Sequence, residues 1–298
     1  MSRDVTDPVD QGAARAAAVQ AGEPKGGANL SVRTAAAVVM AAAALVAAWI
    51  GGFWFAAFWL AAAALALWEW QRLIGGERLW ARIAVGALTL FAVAPLALHG
   101  DKYWTLAAMA IGAVAAGAAG GRGGRCAWTA AGVFYAAAIL AAPTLLRASP
   151  AYGLAAILWL FAVVWGADTF AFLGGRLIGG PRLWRRVSPG KTWSGAIVGT
   201  LAGAAAGAIV GFFAAPDGAR LASLFWLGVV VAIVGQIGDL AESAIKRRFT
   251  VKDSSRLIPG HGGVLDRIDA FVAAAVFAAL IGWAHSDGVW IAAGLFRW

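Results

Sequence analysis

The segment from Ser243 to Asp269 gathers many of the side chains in this chain that could do chemistry. It holds six Lys or Arg residues, three Asp residues and one His, although only 13% of the chain is charged. Asp239 and Glu242 come just before it. Charges of both signs crowded beside long apolar stretches are costly unless a charged ligand or metal ion completes the set. The segment is therefore the first candidate for a functional site.

The spacing within this region predicts a shared face. If the preceding helix continues, Asp239, Ser243 and Lys246 fall at i, i+4 and i+7 and point the same way. The run 259–263 is Pro-Gly-His-Gly-Gly, which predicts a turn-rich loop. Such a loop can aim backbone N–H groups at an anion. His261 in this loop could equally contact a substrate or be an ordinary surface histidine.

The types of charged residue indicate which ligands would fit. Asp266 and Asp269 are three residues apart and share a face if a helix has begun there. Carboxylates with few His and no paired Cys suit a hard cation such as Mg²⁺, and Lys and Arg suit phosphate oxygens. Phosphoryl and nucleotidyl transfer require this combination. A salt-bridged loop that only orients the protein is the alternative.

Two smaller polar clusters precede this region: Asp168-Thr169 at the end of an apolar span, and the stretch 182–192. The second ends in Gly190-Lys191-Thr192, which resembles the end of a phosphate-binding P-loop. A P-loop also needs a glycine where Arg185 stands, and we predict no strand before it. We therefore reject a P-loop.

The elements that must position these residues are long and apolar. The chain has 298 residues and is 61% hydrophobic, whereas soluble domains are roughly 45–50% apolar. We predict an all-α polytopic integral membrane protein with about nine transmembrane helices, eight being the alternative. The predicted spans are 34–50, 53–68, 83–98, 103–119, 127–146, 152–173, 194–215, 221–238 and 269–285.

The domain organisation follows from the same pattern. Residues 1–33 lack aromatic residues and an apolar stripe, which predicts a disordered tail without a catalytic role. Residues 34–298 form one transmembrane catalytic domain, with N-terminal spans in 34–150 and the catalytic half in 151–285. Gly51-Gly52 separates the first two spans, which predicts a tight hairpin.

The basic residues predict the orientation in the membrane. Most lie in the loops after the second, fourth, sixth and eighth spans, whereas the opposite loops offer only Lys102, Arg147 and Arg220. Basic loops face the cytoplasm, so the charged clusters are predicted on the cytoplasmic side and the N-terminus outside. The net charge of +9 then reflects topology and not nucleic-acid binding.

The seventh span carries a glycine at every fourth position, at Gly195, Gly199, Gly203, Gly207 and Gly211. Glycines in this register let another helix approach closely. The sequence leaves open whether that helix belongs to the same chain or to a homodimer formed through the glycine-rich helix 194–215.

Two other classes of function fit poorly. A transporter would carry ionisable residues near the bilayer midplane, but the spans here are almost free of charge, with Glu69, Glu77 and Asp168 near their ends. A scaffold would not need three Asp among six cations. The single cysteine, Cys126, excludes an intrachain disulfide.

The segment 243–269 resembles the signature of the phosphatidate cytidylyltransferase (CDP-diacylglycerol synthase) family. The matching positions are Ser243, Ile245, Lys246, Arg247, Lys252, Asp253, Ser255, Ile258, Pro259, His261, Gly262, Gly263, Val264, Asp266, Arg267, Ile268 and Asp269. The stretches 168–171, 188–193 and 238–243 are also similar. The strong resemblance covers roughly 165–270, and the N-terminal half is similar only in its apolar spans.

The resemblance implies transfer of the cytidylyl group of CTP to phosphatidate, giving CDP-diacylglycerol and pyrophosphate. It implies a multi-pass enzyme of the bacterial inner membrane that requires Mg²⁺ and works on the cytoplasmic side. Its expected metal ligands are Asp239 and Asp266, with Asp269 and Asp168 as further contributors. The expected catalytic residues are Asp239, Asp266, Lys246 and Lys252. The expected substrate-binding residues are Ser188, Lys191, Thr192, Ser243, Arg247, Asp253, His261, Gly262, Gly263 and Arg267.

Two positions depart from the family pattern as we expect it. Gly190 stands where a basic residue is expected, and Phe172 stands where Tyr is common. Neither removes a group that the expected chemistry needs. The sequence does not show an acyl-chain pocket, so a CTP-dependent cytidylyltransferase or kinase acting on another lipid, such as a polyprenol, is the alternative.

Overall fold

The computed structural model describes residues 27–121, 124–217, 219–255, 257–258, 262–286, 288 and 290–297. Nine helices and one short hairpin make up this part of the chain. The helices are α1 (Gly27–Ile50), α2 (Gly52–Leu73), α3 (Leu79–Leu98), α4 (Lys102–Ala119), α5 (Gly124–Arg147), α6 (Gly153–Leu177), α7 (Trp193–Ala214), α8 (Leu221–Arg248) and α9 (Leu265–Ala284). The strands β1 (Arg182–Trp184) and β2 (Ser188–Thr192) lie between α6 and α7, and a 3-10 helix covers Ile291–Leu295.

The nine helices coincide with the nine predicted spans. Seven are long and apolar enough to cross a membrane, namely α2, α3 and α5 to α9, while α1 contributes a shorter apolar stretch at Thr34–Ile50. The prediction of an all-α polytopic membrane protein is confirmed, and the chain is a multi-pass membrane protein. Helix α1 begins at Gly27, so residues 27–33 continue the first helix and do not belong to the predicted tail. The remainder of that tail, 1–26, lies outside the described residues.

The break between the first two helices lies at Gly51-Gly52, as predicted. Gly51 has φ 71° and Gly52 has φ 51°, a left-handed backbone that glycine adopts without strain. Beside this break the Arg147 side chain donates a hydrogen bond from Nε to the Ala48 carbonyl oxygen at 2.8 Å. This contact satisfies a carbonyl at the end of α1.

Helix α5 is the central helix of the bundle. Its residues 136–146 are all buried, and it contacts α2, α3, α4, α6 and α9. Small residues dominate this stretch, and their size lets the surrounding helices approach closely.

The glycine face of α7 packs against α6 of the same chain. A Cβ atom added at Gly199 would lie 2.5 Å from the Ala167 carbonyl oxygen, and one at Gly203 would lie 2.5 Å from the Val163 carbonyl oxygen. The two backbones are therefore too close for any other residue. Because this face is used within the chain, it gives no support to a homodimer, and the dimer itself stays a prediction.

The stretch 182–192 forms a hairpin, which the sequence did not predict. The strands β1 and β2 pair antiparallel, with Arg182 opposite Thr192 and Trp184 opposite Ser188. The expectation of no strand before Gly190 was wrong, because β1 precedes it. Gly190-Lys191-Thr192 nevertheless lies within β2, not in a loop leading from a strand into a helix, so a P-loop remains excluded.

Candidate active site

The hairpin brings one lysine to the membrane helix α8. The Lys191 ammonium on β2 forms an ion pair with the Asp239 carboxylate on α8. Both side chains keep more than a quarter of their surface exposed. Ser243, one turn along α8, donates from Oγ to the other Asp239 oxygen at 3.4 Å. The predicted i, i+4 arrangement of a carboxylate and a hydroxyl is therefore present.

A second lysine joins α8 to α9. Lys246 Nζ lies 2.6 Å from Glu242 Oε2 on the same helix and 2.5 Å from Asp266 Oδ1 at the start of α9. These side chains are only 6–12% exposed, so the ion pairs are poorly screened by water. One ammonium thus holds two acids together at the point where α9 begins.

The other oxygen of Asp266 organises the connecting loop. Asp266 Oδ2 accepts hydrogen bonds from Gly263 N at 2.7 Å, Ser254 N at 3.0 Å and Ser254 Oγ at 2.9 Å. Gly262 has φ 84°, which favours glycine, and a Cβ atom added there would meet Asp266 Oδ2 at 2.7 Å. The glycines of this loop therefore permit its backbone to close around the carboxylate.

Glu69, on α2, anchors the same loop from the N-terminal half of the chain. It is fully buried. Its Oε1 accepts from Ser255 Oγ at 2.6 Å and Val264 N at 2.9 Å, and its Oε2 accepts from Leu265 N at 2.9 Å. Ser254 Oγ lies 3.1 Å from the same Oε2, so its one hydrogen is shared between Glu69 and Asp266. These contacts satisfy backbone N–H groups at the start of α9 and pin the loop to α2.

Two further acids of the predicted site lie near Asp239. Asp168 on α6 and Asp269 on α9 both lie within electrostatic range of Asp239. Asp269 also lies within range of Glu242, and Arg267 lies within range of Asp168. Three helices therefore direct negative charge towards one region at the same end of the bundle.

The remaining predicted residues surround these acids in different ways. Thr192 is buried, and its Oγ1 accepts from Gly195 N at 3.1 Å, which caps α7. Lys252 and Asp253 are exposed. Arg247 is also exposed and donates to the Val251 carbonyl oxygen at 3.2 Å. The partly buried Ser188 starts β2.

One predicted residue could not be placed, and the chemical role of the others stays a prediction. His261 lies outside the described residues. Gly263 is buried beneath Ser254 and Glu69 and leaves no room for a side chain. The structure brings the other predicted residues to one end of the bundle, where β2, α8 and α9 meet.

The donor types at this end fit a magnesium ion. Among the described residues, no three Asp, Glu, His or Cys side chains already form a group that could hold a metal. Instead, the Lys191 ammonium contacts an Asp239 oxygen and the Lys246 ammonium contacts an Asp266 oxygen. These two carboxylates therefore already stabilise positive charge. The carboxylates at this end offer the hard oxygens that Mg²⁺ prefers, and Asp239 and Asp266 would each have to release donors that they now have.

Sequence reasoning missed two acids that the structure places here. Glu69 was noted only as a charge near a span end, and Glu242 only as a neighbour of the charged segment. Glu69 lies 185 or more residues from its partners, so no local spacing could connect them. The available signal was its chemistry: a carboxylate inside an apolar helix is costly unless it is hydrogen-bonded.

Comparisons with known proteins agree with this picture. A model of the cytidylyltransferase family matches residues 31–284. The phosphatidate cytidylyltransferase of Brucella abortus biovar 1 (strain 9-941) is 51% identical over 156 residues, which are 52% of this chain and 57% of that protein.

More distant relatives carry the same name. The phosphatidate cytidylyltransferase of Staphylococcus haemolyticus (strain JCSC1435) is 44% identical over 120 residues, 40% of this chain and 46% of that protein. That of Haemophilus influenzae (strain Rd) is 42% identical over 131 residues, 43% of this chain and 46% of that protein. The chain thus matches about half the length of these curated relatives.

Proposed function

The chain belongs to the cytidylyltransferase family, and we propose that it transfers the cytidylyl group of CTP to phosphatidate, releasing pyrophosphate. The names of its relatives support this substrate pair. The observation that carries the proposal is the paired arrangement of Lys191 with Asp239 and of Lys246 with Asp266 at one end of membrane helices. Such a site can receive two anionic substrates while the lipid tails stay in the bilayer.

In the proposed reaction, a phosphate oxygen of phosphatidate attacks the α-phosphorus of CTP. A new P–O bond forms there, and the bond from the α-phosphorus to the oxygen bridging to the β-phosphorus breaks. No protein nucleophile is needed, because the lipid phosphate is itself the nucleophile. The task of the protein is then to position the reactants and to offset their negative charge.

The basic residues provide this charge compensation. Lys191 and Lys246 exchange carboxylate partners for phosphate oxygens as the substrates enter, and Lys252, Arg247 and Arg267 contact the phosphates from the rim. The exchange keeps each ammonium paired throughout, so no buried charge is left alone. Ser188, Thr192, Ser243, Asp253, His261, Gly262 and Gly263 complete the proposed substrate-binding set.

We propose Mg²⁺ as the cofactor. Asp239 and Asp266 would hold it, with contributions from Asp269 and Asp168. When bound, the ion supplies Lewis-acid stabilisation of phosphate oxygens. The lysines that now neutralise these carboxylates would be free to pair with substrate phosphates.

The location of the site is part of the proposal. The hairpin and the end of α8 are rich in Arg and Lys, which favours the cytoplasmic side of a bacterial inner membrane. Soluble CTP is available there, and phosphatidate reaches the site through the inner leaflet.

The test is an assay of the purified protein in nanodiscs, with CTP labelled at the α-phosphate to follow cytidylyl transfer and, in parallel, at the γ-phosphate to follow a kinase. We expect labelled CDP-diacylglycerol with phosphatidate and no product with polyprenyl phosphate or with a lipid alcohol. Product from either of those lipids, but not from phosphatidate, would replace this function with the alternative lipid substrate.

Removal of the metal tests the cofactor separately. Chelation with EDTA should abolish turnover, and Mg²⁺ in excess over the chelator should restore it. Full activity in EDTA would contradict the metal proposal and leave the choice of substrates unaffected.

A further inference from the structure

An apolar crevice runs through the membrane region beside the charged site. It has a volume of about 700 Å³, within the range of small-molecule sites in proteins. Helices α4, α5 and α9 form most of its wall, and α9 contributes a continuous series that includes Val272, Val276, Ala279, Leu280 and Trp283. Almost all of its lining side chains are apolar.

One end of the crevice meets the acids of the active site. Tyr135, on α5, lines the crevice and lies within electrostatic range of Asp269 and Glu242. Ala273 lines it from α9, and a Cβ atom added at Gly238, the residue before Asp239, would run into Ala273. The wall of the crevice and the wall of the charged site are therefore made by adjacent residues.

The other end lies at the opposite surface. Lys102 and Trp283 line this end, and the Lys102 ammonium is 5.8 Å from the centre of the Trp283 ring. From Val272 to Trp283, α9 rises by about 16 Å. The crevice therefore occupies about half of the ~30 Å hydrocarbon core, on the side between the acids of the charged site and the opposite surface, and a chain that starts beside Asp269 would extend into it.

We propose that this crevice holds an acyl chain of the lipid substrate while the lipid phosphate lies among Lys191, Lys246 and Asp239. The inference rests on the proposed function. A chain that leaves the bilayer for an apolar crevice gains little hydrophobic free energy, because lipid tails are as apolar as the crevice wall. The benefit is orientation, since a chain lying along α9 fixes the position of the attacking phosphate oxygen.

Dependence on chain length follows from this arrangement. A dioleoyl lipid can occupy the full crevice, whereas a dihexanoyl lipid reaches only its inner part. Val276 lies seven residues beyond Asp269, or about 10 Å along the helix, and Ala279 lies ten residues beyond it, or about 15 Å. A larger side chain at either position would shorten the space available to a long chain and leave the space for a short chain unchanged.

The experiment compares kcat/KM for dioleoyl and dihexanoyl phosphatidate in Val276→Phe, Ala279→Phe and the wild-type protein. We expect both variants to lower kcat/KM for the dioleoyl lipid by about tenfold or more, because small displacements of a reacting group have large effects on rate. The value for the dihexanoyl lipid should stay near that of the wild type. Ala115→Phe, on an exposed face of α4, is the matched control and should change neither value.

The outcomes separate the two proposals. No product from the wild-type protein with either lipid would overturn the proposed function. An active wild type, with variants that keep the wild-type ratio of the two kcat/KM values, would overturn the acyl-chain assignment alone. An unchanged ratio together with an altered oligomeric state would identify the crevice as a contact between copies of the chain, and this too would overturn the assignment.

Discussion

At the scale of single residues, the site is built from lysines that each hold an acid of another element. Lys191 of β2 pairs with Asp239 of α8, and Lys246 of α8 pairs with Asp266 of α9. Each ion pair therefore neutralises charge and also fixes one element against another. For the buried Lys246 pair, removing one partner leaves a charge in surroundings of low polarity, which is more costly than losing the attraction itself.

Asp239→Asn tests the acid that faces Lys191. The amide keeps the shape of the side chain but loses the charge that would bind Mg²⁺ and hold Lys191, so we expect turnover to fall at least a hundredfold. Activity is measured with saturating CTP and phosphatidate, and membrane insertion is checked by size-exclusion chromatography. Glu77→Gln, at an exposed acid between α2 and α3, should retain wild-type activity. Wild-type turnover by Asp239→Asn would refute its assigned role.

Lys246→Met tests the buried pair of acids. Without the ammonium, Glu242 and Asp266 face each other uncompensated, which should destabilise the protein by about 3 kcal/mol. We expect a lower thermal midpoint and no activity. Adding Glu242→Gln should recover part of the midpoint but not the activity, because the phosphate contact is still missing. An unchanged midpoint in the single variant would contradict the ion-pair geometry.

At the scale of elements, two contacts place the site. The glycine face of α7 lies directly on α6, which brings Asp168 of α6 towards α8. Glu69 of α2 holds the loop 254–255 and the first residues of α9. The N-terminal half of the chain, which carries none of the predicted site residues, is thus needed to position residues of the C-terminal half.

Glu69→Gln should loosen the start of α9. An NH₂ group replaces one carboxylate oxygen. Because this group donates hydrogen bonds and does not accept them, the two donors that faced that oxygen lose their partner. We expect faster hydrogen exchange at Val264 and Leu265, unchanged exchange in α5, and a lower kcat. In a double-mutant cycle with Ser254→Ala, the two effects on kcat should not add, because Ser254 Oγ lies between Glu69 and Asp266. Unchanged exchange at Val264 and Leu265 would refute the positioning role.

Gly203→Val tests the contact between α6 and α7. A side chain here meets the Val163 carbonyl oxygen, so the helices must separate. Overpacking of this kind costs about 1–3 kcal/mol. We expect a lower thermal midpoint and reduced activity. Leu201→Val, on an exposed position of the same helix, also introduces a β-branched residue and should have little effect. Equal behaviour of the two variants would contradict close packing at Gly203.

At the scale of the whole molecule, the helices collect the charged residues at one end of the bundle. The end of α8, the start of α9 and the hairpin lie there, while Lys102, Arg147 and Arg220 lie at or near the opposite helix ends. A single face that is basic and carries the proposed site agrees with CTP entering from the cytoplasm, as proposed above.

The orientation can be measured with introduced cysteines in a chain that lacks Cys126. Arg185→Cys lies in the exposed hairpin, and Pro150→Cys lies in the exposed loop after α5. In intact spheroplasts, a membrane-impermeant maleimide should label Pro150→Cys and not Arg185→Cys. Inverted vesicles should give the opposite pattern. Labelling of Arg185→Cys in intact spheroplasts would place the site outside.

The sequence by itself determined the nine helices, the break at Gly51 and the charged clusters. These features depend on local properties: apolar runs of membrane length, glycine at a positive φ, and charge density along the chain. The continuation of α8 through Ser243 and Lys246 was also predictable, because helical spacing is a local property.

Only the tertiary structure decided which charges meet. The pairing of Lys191 with Asp239 depends on a hairpin that was not predicted from the sequence. Glu69 binds partners that lie more than 180 residues away in the chain. The apolar crevice likewise exists only where α4, α5 and α9 leave space between them. The physical reason is that hydropathy and helical spacing depend on residues close together in the sequence. Ion pairing and cavity shape depend instead on how separate helices pack against each other.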